Sequence, residues 1–266
     1  MGCNKGMTHV PHLALPQVTL VAISSVNLVA TAAALEASIA QVKFGEAKLL
    51  SDRRPAALPD EVEWVEIPPL TSSRAYSDFV LHQLADHIRT PHCLLIQWDG
   101  HVINSACWRP EFLEYDYIGA SWPQFADGHD VGNGGFSLRS HALLEACRDQ
   151  AFTSFHPEDL AIGRHNRNKL ESRGLRFAPR VLADAFSAER SGDPARSFGY
   201  HGVWHMPRLI GRDAFWRIYC GLDERTSVSQ DLGSLLWQLG SGRGGFTRAL
   251  ALIRDVIRDA ANSRRT

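Results

Sequence analysis

The chain is poor in cysteine and has no long apolar run and no excess of either charge, and each shortage removes a class of function. Five cysteines (Cys3, Cys93, Cys107, Cys147, Cys220) are scattered over 266 residues, odd in number and without a CxxC pair. Neither a disulfide framework nor a cysteine-held zinc is indicated, and a reducing cytoplasm is the expected compartment. The 28 Lys and Arg against 29 Asp and Glu leave a net charge of −1, so no basic surface for a nucleic acid is implied. The most apolar stretch, "LPQVTLVAISSVNLVATAAALEASIA", is broken by Gln17, Ser24, Ser25, Asn27 and Glu36. It falls short of the ~18 uninterrupted residues that span a bilayer. Residues 1–15 lack the charged and apolar regions of a secretory signal and read as a disordered leader or a cloning remnant. There is no internal repeat and no low-complexity tract.

What is present is 44% hydrophobic content, ample for one substantial core. "VTLVAIS" (18–24) is a short β-branched run of the kind buried in parallel sheets. Asn27 is a plausible N-cap for the alanine-rich helix that follows. "EAKLLSD" (46–52) reads as a second strand, and "VEWVEIPPL" (62–70) as an edge strand or crossover ended by two prolines. "SSRAYSDFVLHQLADHI" (72–88) is amphipathic at helical spacing, capped by Ser72 or Ser73, and "HCLLIQW" is the next strand. The order β-α-β-β-α-β implies an α/β fold with a mostly parallel central sheet flanked by helices. Ligands bind beyond the carboxyl ends of such strands, and those ends carry Ser24, Asn27, Asp52, Gln97 and Trp98.

In the second half, "YDYIGASW" (115–122) and the Gly-rich "VGNGGFSLRS" (131–140) are followed by a helix, "HALLEAC", and "LRFAP" (175–179) and "FGYHGVWH" (198–205) read as further strands. "HPEDLAIGRHNRNKLESRG" (156–174) reads as a helix, with Pro157 at its first position and Gly174 as its stop. The α/β domain is expected over 16–207 and a helical extension over 208–266. In that extension, Phe246, Leu250, Ile253, Val256 and Ile257 share one helix face. Packing on the domain is the default for this face; self-association and a membrane surface are the alternatives.

"QWDGH" places Asp99 and His101 at a strand tip, separated by Gly100. A carboxylate oxygen and an imidazole nitrogen suit a divalent ion with positions left open for phosphate oxygens. A solvated turn is the plainer reading of an isolated D-x-H. "VGNGG" permits positive φ or close backbone approach to a ligand, with Asn133 as the polar contact beside Gly134 and Gly135, or is a tight turn before a strand. Glu158 and Asp159 stand in a helix's first turn, where the macrodipole favours acids in any case. Trp98, Trp108, Tyr117, Trp122 and Phe125 supply aromatic faces on which a sugar can stack, and Trp122 is expected to be exposed. Arg74 and Tyr76 open the helix before the strand tip.

The ordered set "LIQWDGHV", "YDYIGASWP", "GNGGFSLRS", "HPEDLAIG" and "FGYHGVW" resembles the layout of glycosyltransferases with the GT-A fold. It looks most like a bacterial family of small, sparsely characterised glycosyltransferase-like proteins, over residues 16–207. The resemblance implies a nucleotide-sugar donor bound at a D-x-D-type motif holding Mn²⁺ or Mg²⁺. Here the second acid is replaced by His101, a form similar to the D-x-H of the polypeptide N-acetylgalactosaminyltransferases. It implies a third ligand near the end of the domain, His201 or, four residues on, His205. "HPEDLAIG" resembles the "EDV" segment of the β1,3-galactosyltransferase and Fringe group. That likeness makes Asp159 the general base of an inverting displacement and gives Glu158 a substrate-orienting role. It places Arg74 and Tyr76 near base or diphosphate. A UDP-hexose is the expected donor and a glycan or lipid-linked glycan the acceptor, which adds the inner face of the membrane to the cytoplasm as a location. A retaining transferase, a metal-dependent nucleotide-sugar or phosphoester hydrolase and a non-catalytic glycan-binding protein are the alternatives.

Overall fold

The computed structural model describes residues 13–263 apart from Arg243. Strand β1 (Leu13–Ile23) leads into helix α1 (Leu28–Ile39) and strand β2 (Val42–Ser51). Strand β3 (Glu63–Glu66), helix α2 (Ser73–His82) and strand β4 (His92–Ile96) follow. This is the β-α-β-β-α-β order expected. Strand β1 begins inside the stretch read as leader, at Leu13; the rest of that stretch lies outside the described residues. Ser72 caps α2, accepting from Ala75 N at 3.1 Å.

The smaller strands are β5 (Gly100–Val102), β6 (Tyr117–Ile118), β7 (Ala120–Ser121), β8 (Val131–Gly132), β9 (Phe136–Ser140), β10 (Ser187–Ala188) and β11 (Gly199–His201). The main sheet runs β3-β2-β1-β4-β9-β6. Its first four strands are parallel, and β9 is antiparallel to both β4 and β6. The architecture is α/β with a mostly parallel central sheet flanked by helices, in agreement with the GT-A-like layout expected.

Alternation along the central strands explains why they read as unbroken apolar runs. Leu20 and Ala22 of β1 and Leu94 and Ile96 of β4 face one core with Leu35 of α1. Val21, Ile23, Cys93 and Leu95 face a second core with Phe79 and Leu84. With both faces covered, each buried aliphatic side chain stabilises the fold by ~1.5–3 kcal/mol.

Three local readings are corrected. "LRFAP" makes one bridge, Phe177 to Tyr117, and Pro179 then opens a helix over Arg180–Phe186. Beyond His201 the chain leaves the strand at Gly202, whose φ is 113°, and enters a 3₁₀ turn. The helix expected over 156–174 is broken into Glu158–Leu160, a π-turn over Ala161–His165 and Arg167–Ser172. The break centres on Asn166, whose Nδ2 donates to Ala161 O and Thr153 O. Pro157 caps the first piece instead of occupying its first turn, and Gly174 ends the last with a φ of 86°.

The C-terminal helices are not a separate body. Phe215, Tyr219, Leu235, Leu239 and Leu252 share one apolar cluster with Ala30, Ala188 and Tyr200. Pro207, expected to end the first domain, lies inside a helix over Met206–Leu209.

Candidate active site

At the carboxyl ends of β1 and β4 lies a cleft with two adjoining lobes. The larger, about 480 Å³, is walled by Ser24, Asn27, Ser72, Trp98, Glu224 and their neighbours. The smaller, about 240 Å³, is walled by Asn133, Gly134, Gly135, Glu158, Asp159, Glu189 and His201 among others. Ser73, Tyr76 and Gln97 border both.

The loop 133–135 reaches the cleft because Gln97 N donates to Gly135 O at 2.9 Å, prolonging the β4–β9 ladder past its last pair. The glycines of "VGNGG" serve close approach, not unusual backbone torsion: the positive φ belongs to Asn133, at 74°. A Cβ on Gly134 would lie 2.1 Å from Glu158 Oε1, and one on Gly135 2.0 Å from His201 Nε2. Asn133 Oδ1 accepts from Gly135 N, while its buried Nδ2 has no hydrogen-bond partner.

The two halves of "D-x-H" are separated. Strands β5 and β11 pair antiparallel, with His101 opposite Tyr200 and Gly100 opposite His201. Opposed residues share a face and successive ones alternate, so His101 and His201 lie on opposite faces. His101 packs edge-on against Tyr200, hydrogen-bonds Val102 O through Nδ1 at 2.8 Å and lines a different hollow, with Gln41 and Ile210. Burial lowers its pKa. Asp99 escapes the alternation because it sits in the turn closed by Gly100 N and Gln97 O, before β5 begins. His101 therefore does not join Asp99 and His201 as a third ligand. Among the described residues no group of three or more His, Cys, Asp and Glu is disposed to hold a metal ion.

Asp99 and His201 do meet. Asp99 Oδ1 is 3.4 Å from His201 Nε2, and both atoms are buried without a hydrogen-bond partner. The other ring nitrogen, Nδ1, is 3.2 Å from Glu189 Oε1. Burial alone would lower the His201 pKa, but the carboxylates of Asp99 and Glu189 outweigh it and push it up to about 10. His205 is turned away, its Nε2 against Glu189 O at 3.0 Å. Glu189, in "FSAERSG", belongs to no motif; its pairing with His201 spans a loop that nothing in the local sequence announces.

Of the two neighbouring acids, Glu158 is fully engaged. Its Oε1 accepts from Arg139 at 3.2 Å and its Oε2 from Ser77 Oγ at 3.1 Å, and all three side chains are buried. Ser77 Oγ also lies 2.8 Å from His156 Nδ1. Both Glu158 oxygens are thus tied to other parts of the chain, and the side chain holds the loop in place. Asp159 is different: Leu160 N donates to its Oδ1 at 2.8 Å, and no side chain neutralises it. Burial, then the Glu158 charge, push its pKa up to about 6.

The other sequence candidates divide. Tyr76 borders both lobes with its hydroxyl unpartnered, and burial raises its pKa. Ser24 and Trp98 line the larger lobe, with Ser24 Oγ donating to Val26 O at 2.5 Å. Asn27 lines it too, but its side chain is spent: Oδ1 accepts from Asp223 N and Glu224 N, and Nδ2 donates to Glu224 O. Asn27 holds the N-cap position of α1 as expected, with a φ of 52°, but makes no side-chain cap hydrogen bond; its amide instead ties the C-terminal helices to the cleft wall. Arg74 is exposed on α2 outside the lining of either lobe. Trp122, expected to be exposed, is buried beside Phe125, and its ring fills the space a Cβ on Gly132 would need. It lines neither lobe.

Residues 61–201 match the model of a family described as "Protein of unknown function (DUF5672)". The chain belongs to this family. The matched span contains Asp99, Asn133, Asp159 and Glu189 and ends on His201; β1, α1 and the C-terminal helices lie outside it. No curated protein matches the chain. Among the solved structures that resemble it distantly are two glycosyltransferases. One is the apo-form glycosyltransferase GlyE of Streptococcus pneumoniae TIGR4, at 14% identity and a TM-score of 0.35, over 49% of this chain and 36% of that one. The present chain thus spans about a third of the pneumococcal chain's length. The other is a glycosyltransferase involved in the glycosylation of the major capsid of PBCV-1, at 12% identity and a TM-score of 0.45, over 76% of this chain and 98% of that one.

Proposed function

We propose that this protein is a glycosyltransferase that moves a hexose from a nucleoside-diphosphate sugar to an acceptor hydroxyl with inversion. The observation that carries this reading is the pair Asp99 Oδ1 and His201 Nε2: two buried ligand-type atoms, unpartnered and 3.4 Å apart, beside a cleft that also holds Asp159. Their chemistry and spacing fit two ligands of one divalent cation such as Mn²⁺ or Mg²⁺, with bonds of ~2.1 Å. Glu189 on Nδ1 would fix the tautomer that leaves Nε2 free for the metal. When bound, such an ion neutralises charge that develops on a departing diphosphate.

The remaining roles follow from the chain's own groups. The larger lobe takes the nucleoside, with Trp98 and Tyr76 offering ring faces and Ser24 a polar edge. The smaller lobe takes the hexose, where the free Asn133 Nδ2 is a donor to a sugar hydroxyl. The acceptor oxygen attacks the anomeric carbon as the bond to the phosphate oxygen breaks. Its proton passes to Asp159, whose raised pKa makes it a stronger base than an ordinary aspartate while leaving it ionised at neutral pH. Glu158, locked by Arg139 and Ser77, holds the backbone that presents Asp159. A UDP-hexose is the proposed donor and a glycan or lipid-linked glycan the acceptor.

A thermal-shift screen of nucleotide sugars with and without Mn²⁺ tests this. A ligand at a hundred times its Kd stabilises the fold by ~2.7 kcal/mol, so binding is plainly visible. Stabilisation by a nucleoside diphosphate that requires Mn²⁺ is the expected result. Absence of any nucleotide effect overturns the reading, and free sugar released at one rate with or without acceptor would make the protein a hydrolase.

A further inference from the structure

The final helix, Gly245–Ser263, packs on the body through a side the sequence does not advertise. Leu252 is buried among Tyr219, Leu235 and Leu239, and Asp255 accepts from the Tyr219 hydroxyl at 2.9 Å. The apolar stripe points the other way. Phe246, Leu250, Ile253 and Ile257 are 75, 51, 39 and 64% exposed. Their spacing of four, three and four residues confines them to one narrow arc of the helix, and a contiguous apolar surface of this kind marks a site of interaction.

The side chains around the stripe indicate what covers it. The other exposed side chains described on this helix are Thr247, Arg254 and Arg258. Arg254 pairs with the buried Asp255 at 3.1 Å, and Arg258 with Asp255 at 3.7 Å and the partly exposed Asp259 at 3.6 Å, yet the two arginines stay 73 and 55% exposed. The helix thus turns its apolar and cationic groups outward and its central acid inward. Helix Leu232–Leu239, packed against it, adds Trp237 at 81% exposure, in a groove with Arg208 and Arg212 and no acidic side chain. A second copy meeting this groove across a two-fold axis would set Arg208 and Arg212 against their own counterparts. A membrane carrying anionic headgroups supplies both an apolar layer for the stripe and negative charge for the arginines. No described helix is long and apolar enough to cross a membrane.

We propose that this helix, with Trp237 beside it, docks the protein in the plane of an anionic lipid surface. Apolar side chains enter the acyl boundary while Arg254 and Arg258 keep their heads among the phosphates, and the indole sits at headgroup level. The inference is independent of the reaction assigned above.

Co-sedimentation of the full chain with vesicles tests it, comparing phosphatidylcholine alone with phosphatidylcholine containing phosphatidylglycerol. The expected result is binding to the anionic vesicles alone, weakened by salt and reduced more than about tenfold by Leu250→Glu with Ile257→Glu, each of which gives up a buried aliphatic side chain in the bound state. Both positions are exposed, so an unchanged melting temperature in that variant separates docking from folding. Absence of binding, equal binding to neutral vesicles, or a dimer in solution that the same variant converts to monomer would each overturn the proposal.

Discussion

A Cβ on Gly135 would fall 2.0 Å from Nε2 of His201. The glycine and the imidazole come from distant parts of the chain and are built to the same clearance. Gly135→Ala must therefore swing the ring away from Asp99, because the loop is pinned by Gln97 N on Gly135 O. Overpacking of this kind costs ~1–3 kcal/mol, a loss the domain survives. The expected outcome is a folded protein in which Mn²⁺ no longer promotes nucleotide binding, read by thermal shift. Retention of the metal effect would show that His201 is not a ligand.

The Glu189 carboxylate holds the opposite side of that ring, 3.2 Å from Nδ1. Partners in this position fix tautomer and orientation, and losing one typically costs ~10–100-fold in metal affinity. Glu189→Gln keeps size and hydrogen bonding while removing the charge; Glu189→Ala removes both. Calorimetric titration with Mn²⁺ and nucleoside diphosphate should show a graded loss, Ala beyond Gln. Equal affinities in all three proteins would make Glu189 a bystander.

The first half of the fold was legible because its signals are local. Strands β1, β2 and β4 are buried on both faces and read as continuous aliphatic runs, and α2 carries its own cap at Ser72. The second half is set by long-range pairing that leaves no periodic trace. Strands β6, β7, β8 and β10 are two residues each, too short for alternation to register. The candidate site was legible in composition and not in direction. Asp99, Asn133, Asp159 and His201 were visible as residue types at strand and loop ends. His101 was misplaced because a turn at Trp98–Asp99 resets the alternation before β5, and Trp122 because its cover comes from Gly132 and Gly163. Glu189 had no local mark at all.

Asn27 links the larger lobe to the C-terminal helices through three hydrogen bonds to the backbone of Asp223 and Glu224. At ~1 kcal/mol per bond, Asn27→Ala should destabilise by roughly 2–4 kcal/mol, with added strain from a non-glycine side chain at positive φ. Asn27→Gly relieves the strain but not the lost bonds. Both variants should loosen residues 222–226, seen as faster amide exchange there, and weaken nucleotide binding through the wall that Glu224 and Thr226 provide. Unchanged exchange would mean that the extension holds its place without this tie.

Asp159 sets the pH dependence. Its carboxyl titrates at about 6 in the fold against an ordinary 3.8, with burial and then Glu158 as the causes. A raised acid pKa favours the protonated folded state, so Asp159 costs no stability below pH 3.8; the cost grows as pH rises toward 6 and is fully present above it. The same ionisation arms the base, so kcat/KM should climb through pH 6 and level off beyond. Asp159→Asn separates the two effects: the amide keeps an oxygen for Leu160 N but carries no charge. It should melt higher than the native protein at pH 7 and at the same temperature near pH 4. Transfer should fall ~10²–10⁴-fold with donor affinity unchanged. A variant that loses donor binding in parallel with turnover would assign Asp159 to the donor site and remove it as the base.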